Sequence, residues 1–490
     1  MDYTNKLMNM KKNKQELIVQ TQNVIMNRCK QEFEKGNLKG LYNALFLAGK
    51  YLYTFNLKFY DEKLEKYICY LADNIIECDY EGTNDGSIVF FDSLGSSNRG
   101  LSKIYIQALE KSEKKFYYIT YREHYENNTE LRKYIETTLN GTVYYIDRKF
   151  ESIVSLYNLI KYAECIFLYT YPEDVIALSA SYKAKGKKYL INFTDHAFWY
   201  GATILDYDIE FRDFGVNVSL QERKISEEKI IKIPFYPLID DSVTFKGYPD
   251  EHMNKNNTVF SGGSVYKTLD DSSLYYEIVD QLLERFDYIY FWYAGYGDYY
   301  KLRILQKKYE GRFFITGERK DLFQIMQHSR LFINTYPMIG GLMSQYAISA
   351  GIPAMTLISD ESETGVLLKS GEHYFEYYDK DRFLFEIEKL IQDDPYYYNT
   401  CRNIKTEDLI MGKDRFNRLI LENLTDEKKS LEYEKKPLSF EYLRSTYVQR
   451  FSMEMFCKAV CKKNFYMFAV FWKYYIILAF ILMRKHLGIK

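Results

Sequence analysis

From residue 87 onward the chain alternates short apolar runs with longer stretches whose apolar residues recur every three or four positions. The runs Ser87–Phe91, Phe116–Thr120, Val143–Ile146, Cys165–Tyr169, Tyr189–Phe193 and Ile230–Phe235 have the length of buried strands. Between them Leu101–Lys111, Glu130–Leu139, Glu151–Ala163 and Pro172–Lys183 carry helical spacing. Regular strand–helix alternation predicts βαβ units around a parallel sheet. The stretch Pro237–Asn257 breaks the pattern, holds two of the eight prolines and reads as a linker.

The alternation then resumes. Strands are expected near Thr258–Phe260, Tyr288–Trp292, Arg312–Ile315, Leu331–Asn334 and Ala354–Leu357, with helices at Ser273–Arg285, Lys320–Gln327, Gly341–Ala350 and Lys380–Ile391. The fold class expected is α/β, with Rossmann-like lobes at 85–245 and 256–425 facing a cleft that can hold a ligand. Residues 1–84 read as a helical appendage, because Leu38–Phe55 and Lys63–Ile76 have helical spacing and Asn84-Asp85-Gly86 ends it. No chemistry is visible there. Residues 426–490 form a helical tail.

Composition narrows the function. Nearly half of the residues are apolar, and 66 basic side chains nearly cancel 67 acidic ones. The chain is therefore globular, and a nucleic-acid partner, which calls for a basic excess, is not expected. The seven cysteines are scattered, odd in number and without a CxxC pair, which argues against a disulfide framework or zinc site and suits a reducing cytoplasm. The polar, charged first residues give no sign of a secretory leader.

The most informative stretch is Leu331–Leu357: a buried strand, a Pro/Gly loop, a helix opening at Gly341, a stop at Gly351 and a second strand. Gly340 and Gly341 let a ligand approach the backbone, and the amides and dipole of the new helix favour an anion. An ordinary tight βα turn would account for the same local pattern.

This loop, its helix and the Ala350-Gly351-Ile352-Pro353 turn resemble the donor-binding signature of GT-B glycosyltransferases. Ser261-Gly262-Gly263-Ser264 with Lys267 resembles the loop behind the first strand of the donor lobe. Thr316-Gly317-Glu318 and Asp321-Leu322 resemble the segment that edges the nucleobase. Ser87–Phe91, Asp92-Ser93-Leu94-Gly95 and Asn98-Arg99-Gly100 resemble the first strand and Gly loop of the acceptor lobe.

The resemblance implies a metal-independent hexosyltransferase with no cofactor, using a nucleotide sugar of the UDP kind. Its donor-side residues would be Gly262, Gly263, Ser264, Lys267, Gly317, Glu318, Gly340 and Gly341, and its acceptor-lobe loop would present Ser93, Gly95, Asn98 and Arg99. Ser344 and Gln345, neutral hydrogen-bonders at the helix start, would meet the donor sugar or phosphate. The acceptor would be a glycan, lipid or protein, in making a bacterial surface polysaccharide or glycoconjugate. A sugar-nucleotide epimerase or phosphorylase of the same shape, or a non-catalytic partner subunit, is the alternative. The group 1 type with an E-x7-E pair would carry glutamates where this chain has Met338 and Tyr346, so a retaining or inverting outcome stays open.

Asn192-Phe-Thr-Asp195-His196-Ala-Phe-Trp199 follows a strand of the first lobe. A strand's carboxyl end is where an acceptor-side base belongs, and His196 or Asp195 is the candidate; a structural His beside a core Trp is the plainer reading. The charges of Glu210-Phe-Arg212-Asp213 suit a buried ion pair closing the cleft as well as a substrate contact. Asp206-Tyr207-Asp208 spells a metal-binding DxD, but so short a match late in its lobe is set aside.

In the tail, Phe465–Met483 is apolar and aromatic except for Lys473. From Tyr442 onward there are nine basic residues and one acid. The length is near the ~20 residues a spanning helix needs, with a central Lys costing about 2.5–3.5 kcal/mol. Peripheral or tail anchoring on an anionic inner membrane face is one reading, and packing back over the first lobe is the alternative.

Overall fold

The computed structural model describes residues 2–77, 84–95, 101–270, 272–359, 365–425, 428–439, 451–461 and 466–486. The chain forms two compact units. The first comprises Met1–Ile233, Asn417–Lys435 and Phe440–Lys490, and the second Pro234–Phe416 with Lys436–Ser439. Appendage and tail therefore belong with the first sheet, and the second unit begins at Pro234.

The first unit opens with helices α1 (Asp2–Glu34), α2 (Leu38–Phe55) and α3 (Glu62–Ile75). Its strands are β1 (Ile88–Asp92), β2 (Phe116–Tyr121), β3 (Thr142–Ile146), β4 (Cys165–Tyr169), β5 (Lys187–Ile191), β6 (Tyr207–Glu210) and β7 (Ile230–Lys232). They are joined by α4 (Leu101–Glu110), α5 (Thr129–Thr137), α6 (Ser152–Ile160), α7 (Val175–Lys183) and α8 (Asp213–Gln221). All pairings are parallel, in the order β3-β2-β1-β4-β5-β6-β7. The first six follow the Rossmann order.

The aromatic richness of the chain has a structural use here. Tyr118, Phe90, Phe167, Tyr189 and Tyr207 are register partners on five successive strands. Their rings stack across the sheet at centroid separations of 6.3, 6.4, 4.8 and 5.1 Å. Cross-strand aromatic pairs of this kind fix register, since a one-residue slip would turn every ring to the other face.

The N-terminal helices are part of the core. Ile25, Leu45, Leu52, Leu64 and Ile68 are buried in one cluster with Val89, Phe91, Ile166 and Leu168. Glu65, buried on α3, accepts from the Gly201 amide at 2.7 Å and the Thr203 hydroxyl at 2.8 Å. It thereby holds the loop after β5.

The second unit contains β8 (Thr258–Ser264), β9 (Tyr290–Tyr296), β10 (Phe313–Thr316), β11 (Leu331–Ile333), β12 (Ala354–Leu357) and β13 (Glu376–Tyr377). Its helices are α9 (Leu274–Arg285), α10 (Tyr300–Lys308), α11 (Leu322–Gln327), α12 (Gly341–Ser349), α13 (Lys380–Gln392) and α14 (Asp394–Thr406); α15 (Lys413–Glu422) leads back to the first unit. The order β10-β9-β8-β11-β12-β13 is again parallel and again Rossmann-like. Two further helices, α16 (Met453–Cys461) and α17 (Phe468–His486), follow in the first unit. Among the described residues, no helix is long and apolar enough to cross a membrane.

Candidate functional site

In the second unit the direction of strand addition reverses between β8 and β11, and the loops leaving these neighbours flank the switch point where parallel sheets bind ligands. β8 ends in Gly262-Gly263-Ser264. A Cβ on Gly262 would lie 2.5 Å from the Ala294 carbonyl oxygen, so its absence lets β8 and β9 run close together. Gly263 has φ +130° with open space beside it, a backbone conformation that favours glycine. The next turn brings Lys267 to the facing loop. Its Nζ lies 3.2 Å from the Ile339 carbonyl oxygen, and its own carbonyl accepts the Met338 amide at 3.3 Å.

That facing loop, after β11, is organised by a residue the sequence did not single out. Asn334, buried, accepts from the Thr335 and Gly340 amides at 2.9 and 2.8 Å. Its amide nitrogen donates to the Ser344 hydroxyl at 2.8 Å and reaches the Thr356 hydroxyl at 3.3 Å. One side chain thus ties the strand end, the loop and the first turn of α12 together. An Asn closing a buried strand just before a Pro/Gly loop was the available signal.

This arrangement bears on four expected donor-side residues. The Gly340 amide is engaged by Asn334 and is not free for an anion. Helix geometry instead leaves the amides of Gly341 and Leu342, both half-buried, without intrahelical acceptors. Gly341 is small for packing: a Cβ there would lie 2.5 Å from Cγ1 of Val366. Ser344 and Gln345 face inward, 5 % and 1 % exposed, bonded respectively to Asn334 and, at 2.8 Å, to the Phe235 carbonyl. They brace α12 and are not available to a ligand at its mouth.

Gly317 and Glu318 follow β10, exposed and two strands from β8. Beside them Arg319 grips Asp321 through two bonds of 2.8 and 2.7 Å and lies over the Trp292 ring at 5.2 Å. Burial opposes ionisation of Asp321, yet Arg319 and the Lys246 amide draw its carboxyl below the ordinary value.

In the first unit, the loop after β5 carries Asp195 and His196. The two adjacent side chains do meet, His196 Nδ1 lying 3.2 Å from Asp195 Oδ1. Asp195 is fully buried and takes Arg212 through bonds of 2.5 and 3.1 Å. Burial would raise its carboxyl, but Arg212 and His196 hold it well below the usual carboxylate range. The His196 side chain keeps 27 % of its surface exposed, and its carbonyl is held by Asn56 Nδ2 at 2.9 Å. Beneath, buried Arg223 donates to the carbonyls of Asp195 and Ala197 at 2.8 and 2.7 Å and lies over the Trp199 ring at 4.6 Å. Of the readings of Arg212, the buried ion pair is the one observed.

The same network encloses Asp208 and Glu210, whose carboxyl oxygens lie 2.8 and 2.5 Å from the Ser219 hydroxyl. Burial raises both carboxyls, and the charge of Asp208 raises Glu210 further against the pull of Arg223. Asp206 accepts the amide and the Nζ of Lys188 at 2.9 and 3.2 Å. The two aspartates of the DxD pattern are therefore separately engaged. Among the described residues, no group of three or more His, Cys, Asp or Glu is placed to hold a metal ion.

At the other loop of this sheet, Asp92 accepts the Leu94 and Gly95 amides at 2.9 Å and the Tyr118 hydroxyl at 2.8 Å. Ser93 is buried, its hydroxyl taking the Tyr171 amide at 2.7 Å, so it clasps β1 to β4 and does not face a ligand as expected. Gly95 has φ +57°, and a Cβ there would strike the His124 ring at 2.2 Å. Arg148 lies between the rings of Tyr121 and Tyr171, 4.2 and 4.7 Å from their centroids, and donates to the Ser93 carbonyl at 3.2 Å. Asn98 and Arg99 lie outside the described residues.

No protein-family model and no curated protein sequence matches the chain. Solved structures are similar to it in fold. Anabaena Alr3699/HepE, solved with UDP and glucose, is 13 % identical, with a TM-score of 0.49 covering 69 % of this chain and 99 % of that one. An O-GlcNAc transferase mutant of Thermobaculum terrenum is 12 % identical, with a TM-score of 0.47 covering 83 % and 78 %. A UDP-N-acetylglucosamine 2-epimerase is 11 % identical, with a TM-score of 0.45 covering 72 % and 100 %.

Proposed function

We propose that the chain is a glycosyltransferase that moves a sugar from a nucleotide diphosphate sugar to an acceptor hydroxyl. The observation that carries this reading is the approach of Lys267 Nζ to 3.2 Å from the Ile339 carbonyl, beside the mouth of α12 at a sheet switch point. A full positive charge there joins the Gly341 and Leu342 amides and the positive end of the helix dipole. That is the equipment a diphosphate needs, and Gly263 leaves room for it.

In this reading the donor's anomeric C–O bond breaks and the electron pair leaves with the diphosphate, whose growing charge Lys267 and the two amides stabilise. The acceptor oxygen forms the new bond and gives its proton to His196 Nε2. Asp195, fully buried and made weakly basic by Arg212, is disfavoured as that base. It orients the ring through Nδ1 and stabilises the imidazolium, making it a positioning residue. No metal enters the scheme. Purified full-length protein, offered a panel of nucleotide sugars, should be stabilised thermally by one donor and should hydrolyse or transfer it. Donor binding without turnover would favour a non-catalytic subunit, and interconversion of the donor sugar an epimerase.

A further inference from the structure

α16 caps the core of the first unit. Phe456, Cys457 and Val460 are buried, with the Phe456 ring against Tyr51, Phe55 and Tyr474 at 6.3, 6.0 and 4.9 Å. α17 behaves differently. It enters the core through Phe471, 4 % exposed, and packs Tyr474, Tyr475 and Leu478 against the same cluster. Its opposite side is also apolar and is open. Phe468, Trp472, Ile476, Phe480 and Met483 are 49, 46, 60, 56 and 52 % exposed, and their spacing of four, four, four and three residues aligns them as one stripe. A helix that is apolar on both sides belongs inside a protein or against lipid.

Charge decides between occupants. Phe468–His486 contains no acid, its stripe is bordered by exposed Lys473, and its last turn carries Arg484 and Lys485. A second copy of the chain would bring these like charges together, whereas anionic headgroups would neutralise them. The helix is about 28 Å long by its rise per residue, and among the described residues no helix is long and apolar enough to cross a membrane. An in-plane position with the stripe at the headgroup boundary satisfies all of these facts. We infer that α17 docks the first unit on an anionic lipid surface through the Phe468–Met483 stripe. This holds whether or not the transfer reaction proposed above is correct.

The test uses the full chain with vesicles of phosphatidylcholine alone and of phosphatidylcholine with about one-third phosphatidylglycerol. Cosedimentation should be strong with the mixed vesicles, weak with the neutral ones, and reduced by high salt. The double variant Ile476→Glu/Phe480→Glu should lower the bound fraction at least tenfold while keeping the thermal transition, because both side chains are exposed. A blue shift of tryptophan emission on vesicle addition should vanish in Trp472→Phe. Failure to bind mixed vesicles, or equal binding by the double variant, overturns the proposal. So does light scattering that shows a dimer dissociated by that variant, since the stripe would then be a protein interface.

Discussion

The Oδ1 atom of Asn334 accepts the Gly340 amide at 2.8 Å, and through that bond a buried side chain at a strand end sets the entrance to α12. Replacing it with alanine leaves the Gly340 amide buried without a partner, at a cost of about 1–3 kcal/mol. Asn334→Ala should therefore lower the melting temperature of the second unit and weaken UDP binding at least tenfold. Asn334→Asp keeps the acceptor but loses the donors to Ser344 and Thr356, and should fall between the two. Wild-type affinity in Asn334→Ala would show that the loop is held by other means.

His196 and Asp195 should separate cleanly in kinetics and stability. His196→Ala removes a partly exposed ring and should reduce turnover by about 10²-fold with UDP affinity nearly unchanged. Asp195→Asn leaves Arg212 buried without its countercharge and should destabilise the first unit by about 3–5 kcal/mol. Denaturant unfolding and steady-state rates on both variants distinguish the roles. Parallel loss of UDP affinity and turnover in His196→Ala would mark the histidine as structural.

How much of this was legible beforehand differs by element. The two parallel sheets could be read because each strand is a short apolar run between amphipathic helices. β6 and β13 are not among the expected strands: each is short, four and two residues, and β6 carries two acids. The role of α3 was not legible, since its buried Glu65 meets Gly201 and Thr203 across 136 and 138 residues of sequence. At the candidate site the loops were found, but not which side chains they expose. Ser344 and Gln345 look ligand-facing in a linear reading, and the rotation of α12 turns them inward. Gly341 looks like a ligand-access glycine, while Val366 is what excludes its side chain.

The buried acids of the first unit give a pH signature. The Glu210 carboxyl titrates well above its ordinary value of 4.5, so the folded state keeps a proton that the unfolded state releases. Its contribution is complete below about pH 4.5 and is lost as pH rises through the folded value, by at most about 1.4 kcal/mol per pH unit. Asp195 has the opposite sign: held below its ordinary 3.8, it stabilises above that value and loses its effect as pH falls through the folded one. Glu210→Gln should flatten the decline in stability as pH rises above about 4.5 and leave the acid limb in place. An unchanged slope would mean that Glu210 is ionised in the folded state.

Charge neutralisation by Lys267 and helix amides predicts that a divalent ion is dispensable. Turnover should persist in EDTA, and Asp206→Ala should leave it within about threefold, since that carboxylate is engaged with Lys188. Complete loss in EDTA with rescue by manganese would contradict both expectations.

The most direct test of the donor site is calorimetry of UDP and of uridine on wild-type protein and on Lys267→Ala. Lys267 lies 3.2 Å from the Ile339 carbonyl and can meet only the phosphates in this account, so the nucleoside should not sense its loss. The account predicts that Lys267→Ala weakens UDP by about 10–100-fold, the scale of a lost charge-assisted hydrogen bond, with uridine affinity unchanged. Equal weakening of both ligands, or UDP affinity that survives the substitution, would contradict a diphosphate at the mouth of α12.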